Sequence, residues 1–396
     1  MNTPFEPGAP AEPDHIPLSV PLVGGNAWTY LKQCLDRHWV SSAGNFVNDF
    51  EQAVARRANR GQGVACTSGT AALHLALIVA GVKAADEVVV PALTFAAPAF
   101  AVRYIGAWPV FLDVDADYWQ LDPQRLKDFV ERRCDWIDRA LINRDTRRRV
   151  RAVLPVDLLG HPADMDAIIE IARSRDLMVI EDATESLGAG YRNAPVGDRS
   201  DIACFSFNGN KVITAGGGGV IATDDRQLAD RARHLSTQAK RDPIEYQHDE
   251  IGFNYRLTNI QAALGMSQIE LLDDYVAAKR RIASRYAAAF SSIPGLRLMP
   301  QAPWAQSSFW LYTPLVEPRA FGIDSRALMR HLAAKKIQSR PLWQPLHRSN
   351  AFKGSPAAEA PNADRVAAMA LSLPSSVGLT EADQQRVIDA VAGSRA

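Results

Sequence analysis

The sequence predicts an α/β protein in which a mixed, mostly parallel sheet lies between helices. From Val64 onward, short apolar segments rich in β-branched residues alternate with longer segments of helical periodicity. The short segments are continuously apolar, which is typical of strands covered on both faces. The chain has 396 residues and a hydrophobic content of 47%. It is therefore long enough for one large domain with a smaller partner.

Seven strands are predicted within this pattern. They comprise residues 63–66, 87–90, 109–112, 152–156, 178–180, 202–205 and 219–222. A helix is predicted over 28–39, with Leu31, Cys34 and Leu35 on one side. The charged stretch 128–150 predicts a helix end followed by a surface excursion. Regular alternation of strand and helix indicates a layered α/β domain.

A long amphipathic helix is predicted after Thr258. Its apolar positions are Ile260, Leu264, Ile269, Leu272 and Val276, and residues 279–281 are expected to face water. Further strand and helix signals follow at 309–312 and 327–329. We therefore expect three parts: an N-terminal arm over 1–20, a large domain over 21–275 and a small domain over 276–396.

Composition excludes several classes of function. Lysine plus arginine and aspartate plus glutamate number 44 each, so no net field favours nucleic acid or a membrane surface. No apolar run approaches membrane-spanning length, and the start of the chain does not resemble a secretory signal. The four cysteines form no C-x-x-C pair, and no metal site is predicted. We expect a cytoplasmic protein without disulfides.

Three features point to pyridoxal phosphate as cofactor. Lys211 follows a predicted strand and precedes the run Gly216 to Gly219, and a lysine amine can form a Schiff base with the cofactor aldehyde. Asp182 ends another strand, where a carboxylate can pair with the pyridinium nitrogen. Residues 67–70 open a helical pattern, and a helix N-terminus binds phosphate.

Five stretches in order identify the chain as similar to a known family. They are residues 68–74, 91–95, 181–188, 205–211 and 252–259. With them the chain resembles the DegT/DnrJ/EryC1/StrS sugar-nucleotide aminotransferases, from Gly24 to beyond His347. The resemblance implies the fold-type I architecture of pyridoxal phosphate-dependent aminotransferases, with a large cofactor-binding domain and a smaller C-terminal α/β domain.

The resemblance assigns expected roles around the cofactor. Lys211 is the expected catalytic residue, and the expected cofactor contacts are Gly69, Thr70, Phe95, Asp182, Glu185, Ser206 and Asn254. Many relatives carry glutamine at the position of Glu185, next to the phenolic oxygen of the cofactor. An ionised glutamate would repel that oxygen, so we expect Glu185 to be protonated or turned toward the sugar.

The resemblance also implies a homodimer with shared active sites. Asn254 is expected to reach the cofactor phosphate of the neighbouring subunit. The expected substrate contacts are Asn26, Trp28, Arg256 and His347. Each of these residues also has a purely structural interpretation, as a turn, capping or surface residue.

The presence of Lys211 favours transamination, because dehydratases of this family carry histidine there. The donor is expected to be L-glutamate, in a ping-pong reaction with a nucleotide-linked keto-sugar. Residues 181–188, 208–211 and 237–246 resemble the branch with the LegC and PglE aminotransferases. That branch implies transfer to C4 of a UDP-4-keto-6-deoxy-N-acetylhexosamine for surface glycan synthesis.

Three alternatives stay open from the sequence. One is a GDP-4-keto-6-deoxymannose 4-aminotransferase of the perosamine type, and another is a dTDP-3-keto-sugar aminotransferase. The third is a cofactor-binding regulatory or structural protein without turnover. That last alternative requires a broken catalytic set, whereas Lys211, Asp182, Ser206 and Asn254 are all present.

Overall fold

A central sheet of nine strands organises the computed structural model, which describes residues 14–242 and 244–394. Seven strands follow one another across the sheet in the order Gln62–Cys66, Gly219–Thr223, Ile202–Ser206, Met178–Asp182, Arg149–Val153, Glu87–Pro91 and Trp108–Leu112. The hairpin Cys134–Ile137 and Ala140–Asn143 extends the sheet by pairing with Arg149–Val153. All seven predicted strands are present, and the mixed, mostly parallel sheet is confirmed.

Strand direction brings several chain segments to one edge of the sheet. The strand Gly219–Thr223 is antiparallel to both of its neighbours, whereas the remaining neighbours along this path are parallel. Gly219 pairs with Cys66 on one side and Ser206 on the other. The carboxyl ends of two strands therefore meet the start of a third, and Lys211 lies in the connection between two adjacent strands.

Helices cover the sheet on both sides. Those of the N-terminal two thirds are Ala27–Asp36, Asn45–Arg57, Gly69–Val79, Ala97–Tyr104, Pro123–Arg132, Met165–Arg173, Arg226–Ser236 and Asn259–Ile269. Val88 and Val90 belong to one buried hydrophobic cluster and Val89 to the other. Because successive residues of a strand face opposite sides, both faces of the sheet are buried, as the continuous apolar runs predicted.

The region after Thr258 differs from the prediction. Two helices, Asn259–Ile269 and Leu272–Phe290, replace the single long helix, and the chain departs from helical geometry at Leu271. Lys279 was expected to face water but is 1% exposed. The expectation treated the charged run 279–281 as one exposed segment. Helical spacing instead places Lys279 on the same face as Leu272 and Val276, where the C-terminal segment encloses it.

The charged stretch 128–150 is more regular than the sequence indicated. The predicted helix end is present, since Pro123–Arg132 ends there. The predicted surface excursion is a hairpin that joins the central sheet. Ion pairs such as Arg144 with Asp135 at 2.8 Å hold it together. The many charged residues gave no apolar pattern for a strand. The hairpin forms because one of its strands pairs with Arg149–Val153.

The C-terminal part combines short strand pairs with helices. The pairs are Leu296–Arg297 with Leu315–Val316 and Arg340–Pro341 with Leu371–Ser372, and the helices are Pro318–Phe321, Ser325–Ala334, Pro361–Met369 and Glu381–Ala392. The helix signal at 327–329 is confirmed, whereas residues 309–312 form only an isolated bridge through Tyr312. The remaining short elements are Gly190–Tyr191, Ala194–Pro195, Lys240–Asp242, Gln247–His248, Ala305–Gln306, Leu158–Gly160, Leu346–Arg348 and Asn350–Phe352.

The predicted N-terminal arm lies outside the described residues over 1–13. Its described part is attached to the C-terminal region, since Ile16 is buried and pairs with Ile337. The boundaries at 20 and 275 stay a prediction. Among the helices of residues 14–242 and 244–394, none has the length and apolar character that crossing a membrane requires.

Candidate active site

A cleft with a volume of about 400 Å³ opens at the edge of the sheet where the strand ends converge. Of the predicted site residues, Lys211, Gly69, Thr70, Phe95, Glu185 and Ser206 line it. Asp182 is buried behind the cleft, where it ends the strand Met178–Asp182. The structure thus brings together residues that are more than a hundred positions apart in the sequence.

Lys211 lies in the connection that follows the strand Ile202–Ser206. Its backbone N–H donates to the carbonyl of Asn208, so a tight turn directs the side chain into the cleft. Its Nζ atom lies 3.8 Å from Oε1 of Glu185 and 4.2 Å from the centre of the Trp310 ring. Burial lowers the pKa of Lys211, while the charges of Glu185 and Asp182 oppose that effect. The amine is therefore biased toward the neutral, nucleophilic form.

Glu185 is enclosed beside Lys211. Its Oε2 atom accepts a hydrogen bond of 2.7 Å from the backbone N–H of Leu159. Burial raises the pKa of Glu185 to about 7, although the charge of Lys211 and the Leu159 hydrogen bond both lower it. Near neutral pH this carboxyl group is thus divided between its protonated and ionised forms. The two alternatives given from the sequence, a protonated Glu185 or one turned toward the sugar, stay predictions.

Asp182 presents one oxygen to the backbone of the following turn. Its Oδ1 atom accepts a hydrogen bond of 3.1 Å from the N–H of Thr184. Burial raises the pKa of Asp182, and the hydrogen bonds from Thr184 and the charge of Lys211 act in the opposite direction. A buried carboxylate of this kind is stabilised when a cationic group pairs with it.

The helix Gly69–Val79 points its N-terminus at the cleft. Ser68 caps it by accepting a hydrogen bond of 3.1 Å from the N–H of Ala71. A Cβ atom on Gly69 would lie 2.8 Å from Cβ of Ser206, and one on Gly219 would lie 2.5 Å from the carbonyl oxygen of Ser68. Glycine at both positions lets the helix start approach the strand ends closely.

This arrangement fits pyridoxal phosphate. A helix N-terminus with hydroxyl groups on Ser68, Thr70 and Ser206 is suited to a phosphate dianion. The buried Asp182 carboxylate matches a pyridinium nitrogen, and the Lys211 amine is the reactive group. A side chain at position 69 would collide with Ser206 and Thr184, which line the same cleft.

Aromatic side chains form one wall of the cleft. Phe95 is half-exposed there, and its ring contacts Trp343 edge-on with centroids 5.8 Å apart. Trp343 stacks on Trp310 with centroids 6.4 Å apart. The sequence analysis assigned no role to either tryptophan, nor to Thr184, Asn208 and Asn210, which also line the cleft. Asn208 and Asn210 flank Gly209 beside Lys211, which was an available signal, whereas no local pattern marked Trp310 or Trp343.

The other predicted contacts lie outside this cleft in the single chain. Asn254 is exposed. Arg256 donates from Nε to the carbonyl of Ser42 at 3.0 Å, so its observed contact is structural. His347 pairs with Asp364 at 3.4 Å.

Asn26 and Trp28 lie at the start of the first helix. Asn26 donates to Glu270 at 2.8 Å, and Trp28 is 76% exposed. Neither residue lines the cleft of its own chain. Their expected substrate contacts, like those of Arg256 and His347, stay predictions.

The fold and the cleft define a pyridoxal phosphate-dependent aminotransferase of fold type I. A sequence profile of the DegT/DnrJ/EryC1/StrS aminotransferase family matches residues 23–392, and the chain belongs to that family. Members of this family act in sugar-nucleotide transamination with pyridoxal phosphate as cofactor. The particular branch with LegC and PglE is not singled out by the relatives that the chain resembles.

Two similar proteins are GDP-perosamine synthases. That of Caulobacter vibrioides is 38% identical over 95% of this chain and 97% of its own length. That of Escherichia coli O157:H7 is 37% identical over 84% and 86%, respectively. The crystal structure of DesV from S. venezuelae has a TM-score of 0.83 and 33% identity, and covers 92% of this chain and 93% of that one. These likenesses extend over nearly the whole chain.

Proposed function

We propose that this chain transfers the amino group of L-glutamate to C4 of GDP-4-keto-6-deoxymannose. The observation that carries the proposal is the Lys211 amine, which lies in the cleft 3.8 Å from the Glu185 carboxyl group. The likeness to two GDP-perosamine synthases along most of the chain supports the choice of sugar nucleotide.

Pyridoxal phosphate, when bound, supplies an electron sink that stabilises negative charge on the reacting carbon. The residues that would hold its phosphate are Gly69, Thr70 and Ser206, at the start of the helix Gly69–Val79. Asp182 would keep the ring nitrogen protonated, and Phe95 would cover one face of the ring. Glycine at position 69 lets the helix start lie against Ser206 and Thr184, which line the cleft.

Lys211 moves the proton in both halves of the reaction. Because burial lowers its pKa, the amine can accept a proton from the substrate carbon without first losing one to solvent. Glu185, with a pKa of about 7, can hold a proton next to Lys211 or carry a charge that stabilises its ammonium form. The two groups therefore set the protonation state of the cleft together.

The UDP-4-keto-6-deoxy-N-acetylhexosamine predicted from the sequence is the second candidate. The stretches 181–188 and 208–211, which carry the resemblance to LegC and PglE, supply Thr184, Glu185, Asn208, Asn210 and Lys211 to the cleft. In both proposals the sugar nucleotide would therefore contact the same residues of the cleft. A dTDP-linked 3-keto-sugar is the third.

We further propose a cytoplasmic homodimer in which Asn254 completes the site of the neighbouring subunit. Asn254 is exposed and lies outside the cleft of its own chain, which leaves it free to serve another one. The product, a 4-amino-4,6-dideoxy sugar nucleotide, would serve surface glycan synthesis.

A spectral titration tests the reaction and the substrate together. The purified protein with pyridoxal phosphate is treated with glutamate, and the three keto-sugar nucleotides are then added to separate samples. We expect glutamate to remove the visible absorbance and the GDP-linked sugar to restore it. Restoration only by the UDP-linked or the dTDP-linked sugar would reject the GDP assignment. No response to glutamate would contradict the reaction itself.

A further inference from the structure

Lys279 is a buried lysine that the proposed reaction does not use. It lies on the helix Leu272–Phe290, and its side chain is enclosed by the C-terminal region. Its Nζ atom donates to the carbonyl of Trp310 at 2.9 Å and to the carbonyl of Ser375. Buried lysines are costly unless their charge is paired or removed.

Burial lowers the pKa of Lys279 to about 7, and no carboxylate contributes to that shift. A neutral amine has two N–H donors, and two carbonyl groups receive them. The side chain therefore donates to two backbone carbonyl groups in a buried site. Within residues 14–242 and 244–394, no charged group contributes to its pKa, and Lys279 does not line the cleft.

Trp310, which one of these hydrogen bonds holds, touches Lys211 directly. The indole ring lies under the Nζ atom of Lys211 at 4.2 Å, and its Nε1–H donates to the carbonyl of Asn210 at 2.6 Å. A single side chain thus contacts both the amine of Lys211 and the backbone that precedes it. An ammonium group over an indole face is stabilised relative to the neutral amine.

Few other side chains of the helix Leu272–Phe290 form hydrogen bonds to the segment that contains Trp310. Arg280 donates to the carbonyl of Ser307 at 2.9 Å, three residues before Trp310. Tyr286 donates to the carbonyl of Pro374 at 2.9 Å, next to Ser375 but away from Trp310. Lys279 is therefore the side chain of this helix that fixes the Trp310 backbone itself, within the described residues.

We propose that Lys279 is a positioning residue for Lys211 and acts by holding Trp310 in place over the Lys211 amine. The chain of contacts runs from Lys279 to the Trp310 carbonyl, and from the Trp310 ring to Lys211 and Asn210. The proposal rests on the role of Lys211 in the proposed function. It makes Lys279 responsible for the orientation of the amine and for part of its proton affinity.

The test measures the proton affinity of Lys211 without using turnover. Lysine acylation in the protein without added cofactor is followed against pH, and the Lys211 peptide is quantified by mass spectrometry. Trp310→Phe weakens the stabilisation of the ammonium group, so its labelling profile should move to lower pH. Lys279→Met should give the same direction of shift, because the indole is no longer fixed. Glu185 and Asp182, the other groups that act on Lys211, are unchanged in both variants.

Tyr286→Phe is the matched control. It removes one buried side-chain hydrogen bond to the same C-terminal segment without touching Trp310, and should leave the Lys211 profile in place. Lys279→Gln, which keeps a neutral N–H donor on a shorter side chain, should restore part of the wild-type profile. If Lys279→Met does not fold, the Lys211 labelling profile of Lys279→Gln is compared with those of the wild type and Trp310→Phe instead.

A double-mutant cycle provides the second measurement. We expect Lys279→Met and Trp310→Phe each to lower kcat about tenfold, and the double variant to lose no more than the worse single variant. Additive losses of kcat in the double variant would overturn the proposal. It would also be overturned if the Lys211 labelling profile shifts in Trp310→Phe but matches the wild type in Lys279→Met. Turnover that survives Lys211→Ala would instead contradict the proposed function, so the two failures are distinct.

Discussion

The Nζ atom of Lys211 and the Oε1 atom of Glu185 lie 3.8 Å apart in a largely buried site. Burial drives the two pKa values toward each other, lowering that of Lys211 and raising that of Glu185 to about 7. Burial therefore narrows the free-energy difference between the ionised and neutral forms of the pair. A carboxyl group at this position makes the proton affinity of the lysine depend on pH, which a neutral glutamine would not do.

Glu185→Gln is expected to change the pH titration of the bound cofactor. The wild-type visible spectrum should include a transition with a midpoint near pH 7, because Glu185 ionises there. The variant lacks that group, so the transition should disappear, and the Lys211 pKa should fall because a neighbouring negative charge is lost. Identical titrations of the two proteins would contradict a protonated Glu185.

The same substitution should alter stability with a defined sign. The pKa of Glu185 is about 7 in the folded protein against an ordinary value of 4.5, so the folded state binds this proton more tightly. Stability of the wild type should therefore fall as pH rises from 4.5 to 7. Glu185→Gln should lose this dependence, which amounts to about 3 kcal/mol at most. Denaturant unfolding at pH 5 and pH 8 measures it, with the exposed Glu381→Gln as control.

Lys211→Ala is expected to reduce turnover by at least about 10³-fold, because the variant has no group to move the proton. The measurement is product formation from glutamate and the keto-sugar, in buffer without added amines. Circular dichroism should show an unchanged fold, since the side chain borders a cleft. Lys32→Ala serves as control, because Lys32 is exposed and pairs with Asp36 on the surface. Substantial turnover by Lys211→Ala would exclude it as the catalytic residue.

Gly69→Ala is expected to weaken cofactor binding by roughly 10- to 100-fold, the range that overpacking by a methyl group implies. The new Cβ atom would lie 2.8 Å from Cβ of Ser206 and 3.2 Å from Cγ2 of Thr184. Fluorescence titration with pyridoxal phosphate measures the affinity. Gly209→Ala is the matched control, since a Cβ atom there meets no described residue within 4 Å. Equal affinities in both variants would argue against a phosphate cradle at Gly69.

Mixed dimers of Lys211→Ala and Asn254→Ala subunits test the shared active site. If each site combines Lys211 of one subunit with Asn254 of the other, the heterodimer contains one intact site and one doubly altered site. Activity should then return to about half of the wild-type value per dimer. If Asn254 serves its own chain, both sites carry one defect and activity stays low. Differently tagged subunits purified in two steps provide verified heterodimers.

The sequence predicted the parts of the site that are local. Lys211 and Asp182 follow apolar strands, and in a largely parallel sheet the strand ends meet at one edge, so their proximity could be anticipated. The cap at Ser68 follows from a hydroxyl residue before an apolar helix. Periodicity gave all seven strands of the main path because both faces of the sheet are buried.

The sequence failed where long-range packing decides the environment of a side chain. Lys279 lies on the same helix face as the buried Leu272 and Val276, yet its charge indicated a surface position. Helical periodicity gives only the direction of a side chain relative to its own helix, and not what covers it. The hairpin Cys134–Ile137 and Ala140–Asn143 likewise depends on a distant strand to pair with.

The sequence by itself determined the layered α/β fold and predicted the lysine, the carboxylates and the helix start of the candidate site. These features depend on residue type and local spacing, because the spacing sets where each strand ends and where each helix begins. Only the tertiary structure decided that Trp310, 100 residues from Asn210, lies over Lys211, and that Lys279 holds it. The physical reason is that burial sets the pKa of Lys211, Glu185 and Lys279, and burial is a property of the packed chain.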